Sequence, residues 1–453
     1  MVRAPILLIA VFSVCLVACH SDHYYSYYGA PPSGPQANLQ VLAASPDAPP
    51  VNVLIDGQLV IPNLDYGQGT GEQSYAATAH TITVQTQTPG APTTVIGPTT
   101  LDLQANMDYI VAAEGAVASI APVIFPHQLA IVPQGSTQLQ FLHAAPNAPS
   151  IAVYLTAPGA DLASSSPLGT FAFQGSLGPT QLASGSYEIR VTAAGTATPV
   201  LFDSGGIALA GGDDLVIAVL QNTEPGTASI ELSELDAYGN QSLLFDVGTP
   251  ANVRFIHDSP NAPAISVIAN NDVTAPLVPT LSYPDFTAYL SETPGPYNIA
   301  ITPASNPSDV LANHNLQLNA GSVHSVYAIG LLANLNTLIT RDDDRRYATQ
   351  ARLRIIQGSP SAGLVDVYLT APGEAIATAV PVYAAVPFGA DTGFVSYAAA
   401  SYDLTITPAG SKTASIGPTA VTLSNDGLYT AVARDAAGGG SPLGLILLDD
   451  FAP

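Results

Sequence analysis

The stretch Leu142-His143-Ala144-Ala145-Pro146-Asn147-Ala148-Pro149 decides how this chain folds. Proline fixes φ and pushes the residue before it towards an extended conformation, and the second proline ends the hydrogen bonding of a sheet. A polar residue between the prolines, here Asn147, can bond back to nearby backbone amides. The stretch therefore predicts a rigid corner between two β-strands, with His143 bonded to backbone. The alternative is a ligand-binding role for the same residues.

The phrase recurs four times along the chain. Its first prolines are Pro46, Pro146, Pro260 and Pro360, so the first and last steps between copies are equal and the middle step is longer. The interval from the first copy to the third therefore equals that from the second to the fourth. Copies two and four also share a longer phrase, at 154–159 and 368–373, which copies one and three lack. We infer that a two-domain unit was duplicated whole, and that the pair is the functional unit.

Each copy predicts a small all-β domain. An alternating strand follows the phrase, as in Val51–Ile55, and another follows a later turn, as in Tyr187–Val191. Such alternation is typical of a sheet with one buried face, and about seven short strands per copy indicate an immunoglobulin-like β-sandwich. A small barrel is the alternative. The predicted organisation is a signal peptide at 1–18, a flexible Tyr/Pro-rich tether at 19–37, and four tandem β-sandwiches at 38–135, 136–248, 249–342 and 343–453.

The recurring phrase followed by an alternating strand resembles the domain-of-unknown-function 4397 family. The resemblance covers nearly all of the chain from about residue 38 onward. Copy four departs from the pattern where Gly363 replaces the second proline, and the histidine is present only as His143 and His257. The resemblance implies a secreted protein with tandem domains, often behind a lipoprotein signal. It implies no catalytic residues.

The first residues predict export and a lipid anchor. Arg3, an apolar run from Ile6 to Val17 and then Ala18 make a secretory signal. Its end, Leu16-Val17-Ala18-Cys19, resembles the lipobox of bacterial lipoproteins, which implies cleavage before Cys19 and lipidation of its thiol. His20, rather than aspartate, follows the cysteine, which favours the outer membrane, with the cell surface as one destination. The membrane is then a partner through lipidated Cys19.

The charge of the chain excludes one class of partner and marks one weak metal candidate. There are 34 acidic and 10 basic residues, a net charge of −24, so we expect no nucleic acid to bind. Asp342, Asp343 and Asp344 are three adjacent carboxylates in a predicted linker, which could hold calcium. The neighbouring arginines, Arg341, Arg345 and Arg346, could instead pair with them.

No catalytic site is predicted. The serines of the phrase, Ser45, Ser259 and Ser359, precede proline in tight corners, and Ala145 replaces them in copy two. The chain has no Gly-x-Ser-x-Gly elbow and no phosphate-binding loop with a following lysine, so we expect no enzyme activity and no cofactor. The leading hypothesis is a non-catalytic binding or adhesion module with envelope, glycan or matrix partners. The alternatives are a purely structural surface spacer and a secreted hydrolase with an unrecognised site.

Overall fold

The computed structural model describes residues 34–451, and its architecture confirms the predicted all-β class. These residues form eight separate sheets, two for each of four sandwiches, and none of the eight is closed into a barrel. The only helices in this range are three single-turn 3₁₀ helices, at Val117–Ser119, Leu162–Ser164 and Leu332–Asn334. No helical segment of the described residues is long and apolar enough to span a membrane.

The strands follow the four copies of the phrase. Sandwich one comprises β1 (Gln36–Ala44), β2 (Val51–Ile55), β3 (Gln58–Leu64), β4 (Gln73–Ala76), β5 (Ala79–Thr86), β6 (Thr93–Asp102), β7 (Met107–Glu114) and β8 (Ala121–Gln128). Sandwich two adds a ninth strand and comprises β9 (Ser136–His143), β10 (Ile151–Thr156), β11 (Gly169–Phe171), β12 (Ser176–Ala183), β13 (Gly185–Ala193), β14 (Val200–Leu209), β15 (Asp214–Gln221), β16 (Ile230–Asp236) and β17 (Gln241–Leu244).

The second half repeats this order. Sandwich three comprises β18 (Ala251–Asp258), β19 (Ile265–Ala269), β20 (Val278–Leu281), β21 (Leu290–Glu292), β22 (Gly295–Pro303), β23 (Ala312–Leu318), β24 (Val323–Ile329) and β25 (Asn336–Asp342). Sandwich four comprises β26 (Ala351–Gln357), β27 (Val365–Thr370), β28 (Tyr383–Val386), β29 (Val395–Tyr397), β30 (Ala400–Pro408), β31 (Ile416–Leu423), β32 (Leu428–Arg434) and β33 (Gly444–Asp449).

One sheet of each sandwich is built around a parallel pair. In sandwich one the sheet order is β4-β1-β7-β8, and β1 runs parallel to β7 with Leu42 beside Ala112. The other sheet, β3-β2-β5-β6, is wholly antiparallel. The same parallel pairing joins β9 to β15, β18 to β24 and β26 to β32. Both faces of β1 and β9 are buried along most of their length, as is typical of strands in parallel pairing.

The two faces of the parallel strands serve different cores. In β1, Val41 and Ala43 point into the core of sandwich one, whereas Leu42 and Ala44 pack against sandwich two. The core shared by sandwiches one and two contains Leu42, Ala44, Ile110, Ala112, Phe125, Leu142, Ala144, Val216, Ala218, Leu220 and Leu235. The core shared by sandwiches three and four contains Ile256, Tyr327, Ile329, Ile356, Val432, Ile446 and Leu448. Sandwiches one and two are therefore called pair one, and sandwiches three and four pair two.

The shared cores predict where the chain can be divided. Separate expression of 34–248 and 249–453 keeps both shared cores intact, so we expect each half to unfold cooperatively on heating. Division after residue 135 leaves Leu42 and Leu142 on bare faces, and we expect both fragments to bind the dye ANS and aggregate. Circular dichroism and ANS fluorescence would measure this. Equal behaviour of the fragments from the two divisions would contradict the pair as the stable unit.

Candidate functional site

Three of the four corners are closed by a side chain that bridges the two strands, whereas copy one has Ala43 at this position. The Nε2 of His143 lies 2.9 Å from the carbonyl oxygen of Pro149, and the amide of Ala145 donates to Nδ1 at 3.4 Å. In sandwich three, His257 makes the same contacts with Pro263, at 3.0 Å, and Ser259, at 3.3 Å. Since one ring nitrogen accepts and the other must donate, both rings are neutral. This confirms the prediction that they bond to backbone, and burial lowers the pKa of each ring.

Copy four achieves the same bridge with a different residue. The side-chain Nε2 of Gln357 donates to the carbonyl oxygen of Gly363 at 2.9 Å, and its Oε1 accepts from the amide of Ser359 at 3.1 Å. A primary amide presents a donor and an acceptor much as a neutral imidazole does. The sequence pattern identified the histidine as variable but missed this equivalence.

The bridge predicts a clear difference between two substitutions. We expect His143→Gln to retain most of the unfolding free energy, and His143→Ala to lose about 1–3 kcal/mol, because it leaves a buried carbonyl and amide unpaired. Urea unfolding of the full chain measures both. His314→Ala, at an exposed histidine of sandwich three, is the matched control. If His143→Gln destabilised the chain as much as His143→Ala, the hydrogen bonds to Pro149 and Ala145 would not be what the His143 ring contributes to stability.

The polar residue of each corner bonds across the sheet, and here the local prediction was wrong. Asp47 Oδ1 accepts from the amide of Val117 at 2.7 Å, and Asn261 Oδ1 accepts from that of Leu332 at 2.7 Å. Asn147 donates to Gln221 Oε1 at 2.8 Å. Each partner lies at or just after the end of β7, β15 or β24, because the parallel pairing brings that end of the strand beside the corner. The corner is therefore tied to a distant segment as well as to its own strands.

The corners of sandwiches one and two meet at an open cleft of about 370 Å³. Asp47 and Asn147, which occupy equivalent positions of the repeated phrase, both line it. The linker between sandwiches three and four and one residue of sandwich four complete the walls. The lining residues are Pro46, Asp47, Ala116, Pro146, Asn147, Gln221, Asn222, Thr223, Asp344, Arg345, Arg346 and Asp426.

Arg345 fixes the linker at this cleft. Its Nη1 donates to the carbonyl oxygen of Ala48 at 2.5 Å, its Nη2 pairs with Asp65, and its guanidinium lies 5.7 Å from the ring centre of Tyr66. The amide of Ala348 also donates to the carbonyl oxygen of Asp47 at 2.9 Å. Because Arg345 is only 7% exposed, the contact attaches pair two to the corner of sandwich one.

The cleft region is acidic and poorly neutralised. Burial, with the nearby charges of Asp344 and Asp343, raises the pKa of Glu224 to about 7. Burial and the charge of Glu224 raise the pKa of Glu231 to about 8, and one carboxyl oxygen of Glu231 has no hydrogen-bond partner. Burial also raises the pKa of Asp344 to about 6. The amide and carboxyl side chains can exchange hydrogen bonds with a polar ligand.

The three adjacent aspartates of the metal candidate have different partners. Asp342 is buried and bonded to Arg354 at 2.6 Å, whereas Asp343 bonds to Arg352 at 2.7 Å and Asp344 lines the cleft. No group of three or more His, Cys, Asp or Glu side chains within 34–451 is arranged to hold a metal ion. The partners expected from the sequence were the adjacent arginines, and this was wrong for Asp342 and Asp343.

Two reciprocal ion pairs cross the shared core of pair two. Arg254 of sandwich three pairs with Asp449 of sandwich four at 2.5 Å, and Arg354 of sandwich four pairs with Asp342 of sandwich three at 2.6 Å. Burial alone would raise the pKa of Asp342, but Arg354 and Arg254 outweigh it and lower the pKa. Pair one has Gln40 and Gln140 at the arginine positions, and Gln40 donates to the carbonyl oxygen of Asp236 at 3.0 Å.

The corner serines are buried donors. Ser259 Oγ donates to the carbonyl oxygen of Gly330 at 2.6 Å, and Ser359 Oγ bonds to the Asp435 carboxylate. Both side chains are fully buried. Their hydroxyl groups thus hold the corner to the segment beside it. Cys19, the signal peptide and most of the tether lie outside the described residues.

Comparison with known families identifies the repeat. A family described as a domain of unknown function, DUF4397, matches residues 37–154 and 251–368. The chain belongs to the DUF4397 family. Each match begins at the first strand of an odd-numbered sandwich and extends through the corner of the even-numbered one. The two DUF4397 matches thus cover equivalent parts of the two pairs, as the duplication of a two-domain unit requires.

Two solved structures are similar to this chain at low sequence identity. The Bacillus anthracis TIE protein is 9% identical, with 85% of this chain and 65% of that chain covered and a TM-score of 0.16. The pilus adhesin SpaC from Lactobacillus rhamnosus GG is 12% identical, with 67% and 42% covered and a TM-score of 0.14. The DUF4397 chain thus spans less than two thirds of either. No curated protein matches the sequence.

Proposed function

We propose that this chain is a lipid-anchored cell-envelope protein whose non-catalytic tandem domains act as a binding or adhesion module. The observation that carries the proposal is the cleft where Asp47 and Asn147, from two equivalent corners, meet beside a linker held by Arg345. Side chains that can exchange hydrogen bonds converge there on a rigid frame. The lipobox-like sequence at Cys19 supports the anchor, and the outer membrane with exposure at the cell surface is the proposed location.

Protease treatment of intact cells tests the location. We expect rapid digestion of the full-length chain, detected with an antibody to sandwich four, while a periplasmic marker stays intact. Digestion only after the outer membrane is opened would contradict surface exposure. Cys19→Ala is expected to release the chain from membranes, and continued tight membrane association of that variant would contradict the anchor.

A panel of immobilised glycans and matrix proteins tests the binding role. The full-length Cys19→Ala chain is labelled with a fluorophore and applied to the panel. A second chain, which carries both Cys19→Ala and Asn147→Ala, is applied in the same way. We expect at least one surface to be bound, and the added substitution to weaken that binding at least about tenfold, since it removes a polar contact that the ligand would bury. Asn313→Ala, at an exposed amide of sandwich three, is the control and should leave binding unchanged.

A structural spacer is the second candidate, and one observation favours it. The buried contact of Arg345 with Ala48 and Asp65 joins the two pairs through defined side chains, as a stiff rod would require. A spacer would bind nothing on the panel, but its length would determine how far the C-terminus extends beyond the cell surface. Deletion of pair two would then reduce the reach of a fused C-terminal tag beyond the cell surface, without any change in ligand binding.

A further inference from the structure

The end of pair one where β1 and β9 begin carries unusually exposed apolar side chains. We call this end the base of pair one, defined by 34–36, 129–135 and Tyr238. Ile131 is 92% exposed, Tyr238 83% and Leu129 53%. Two of the three most exposed large apolar side chains in the described residues therefore lie at one end of one pair.

Strand pairing places Tyr238 at the same end as the 129–135 segment. β15 runs parallel to β9 with Leu215 beside Leu139, and the antiparallel β16 brings Asp236 beside Leu215. The turn after β16 thus projects from the end where β9 starts. Residues 129–135 connect β8 to β9 and contain no charged residue.

The equivalent linker of pair two has the opposite chemistry. Counted back from the first proline of the phrase, Pro146 or Pro360, Arg345 holds the position of Ile131. Arg345 is buried against the corner of sandwich one, whereas Ile131 is 92% exposed. Pair one therefore has an exposed apolar side chain where pair two has an arginine that contacts another sandwich.

The chain that leads to Cys19 leaves from this base. The amide of Ala77 donates to the carbonyl oxygen of Pro35, and Pro35, Gln36 and Leu129 line one shallow depression. Only the short segment 20–33 separates Cys19 from Gly34. A lipidated Cys19 would hold the base, rather than the corners, close to the bilayer. Pair two attaches at the corner end, one strand length or about 30 Å away.

We propose that the base of pair one is a membrane-contact surface, with Ile131 and Leu129 inserted into the outer part of a lipid layer and Tyr238 at the headgroup level. This rests on the proposed lipid anchor at Cys19. Aliphatic side chains leave water for the acyl region, and tyrosine favours the interface between lipid and water. Because the chain carries a net charge of −24, the contact is apolar and does not need anionic lipids.

The absence of tryptophan from the chain makes this directly measurable. Full-length lipidated chain carrying Ile131→Trp is purified from membranes and reconstituted into phosphatidylethanolamine–phosphatidylcholine vesicles, with or without brominated acyl chains. We expect tryptophan emission shifted to shorter wavelength and quenched by the brominated lipid, with little dependence on salt. Val380→Trp, on sandwich four at a site that is also 83% exposed, is the control and should be neither shifted nor quenched.

The outcomes separate this inference from the proposed function. If the chain floats with the vesicles but Ile131→Trp emission matches that of Val380→Trp, the membrane contact is wrong while the anchor stands. A shift without lipid quenching that grows with protein density would mean that a second copy covers the base, which also overturns the inference. If the native chain carries no lipid on Cys19 and does not float, the anchor itself fails.

Discussion

Arg354→Ala should destabilise pair two by about 3–5 kcal/mol, because it leaves the Asp342 carboxylate buried without its main partner. The side chain of Arg354 is 1% exposed and that of Asp342 is 3% exposed. Asp342 would keep its hydrogen bonds from Tyr289 and Thr340, at 2.6 and 2.8 Å, but its remaining cation, Arg254, lies 3.8 Å away. Guanidinium unfolding of the full chain measures the loss.

A second variant separates the ion pair from simple loss of packing. Arg354→Met combined with Asp342→Asn removes both charges and keeps a side-chain oxygen that can accept from Tyr289 or Thr340. We expect it to recover most of the loss, since no buried charge is left without its partner. Arg341→Ala, at an exposed arginine adjacent to Asp342, is the control and should change stability by less than about 0.5 kcal/mol. An equal loss of unfolding free energy from Arg341→Ala and Arg354→Ala would contradict a stabilising role for the buried ion pair between the sandwiches.

The corners and the sandwich class could be predicted because they depend on local chemistry. Proline at 46, 146, 260 and 360 restricts the backbone wherever it stands, and alternating strands such as Val51–Ile55 report which face is buried. The equal spacing of alternate copies also indicated the pairs, which the shared cores then explained. These signals need no knowledge of what lies across the sheet.

The contacts between sandwiches could not be predicted, because they depend on how two sheets are placed face to face. Arg254 and its partner Asp449 lie in strands of different sandwiches, far apart in the sequence, and nothing in either segment specifies the other. One signal was available: an arginine directly before two apolar residues of a strand, at the equivalent positions 254 and 354, requires a partner if it is buried. The cleft was missed for the same reason, since its walls come from three sandwiches and a linker.

Pair one has an opposite arrangement, buried carboxyl groups without partners. Glu114 is fully buried, and neither of its carboxyl oxygens has a hydrogen-bond partner. Burial raises its pKa from 4.5 to about 8. In sandwich two Leu220 occupies the equivalent strand position, next to the same shared core. Glu114 is thus tolerated as a neutral acid in a place that suits an apolar side chain.

Pair one should therefore lose stability as the pH rises from 5 to 8. A carboxyl group whose pKa is raised on folding binds its proton more tightly in the folded state. Its contribution to the free energy of unfolding is fully present below the pKa of the unfolded chain, near 4.5. That contribution is then lost progressively as the pH rises to the folded pKa, about 8. For Glu114 the slope is about 1.4 kcal/mol of unfolding free energy per pH unit. Glu231, whose pKa is also raised by burial to about 8, adds a second loss in the same window.

Glu114→Gln isolates this effect from the buried histidines, whose titration acts in the opposite direction. The amide cannot ionise, so we expect the variant to gain stability over the native chain as the pH rises, with the difference growing from pH 5 to pH 8 and then levelling off. Urea unfolding at each pH measures the difference. Glu374→Gln, at an exposed position, is the control and should show none. A constant difference between the native chain and Glu114→Gln across this range would mean that the pKa of Glu114 is not raised in the folded protein.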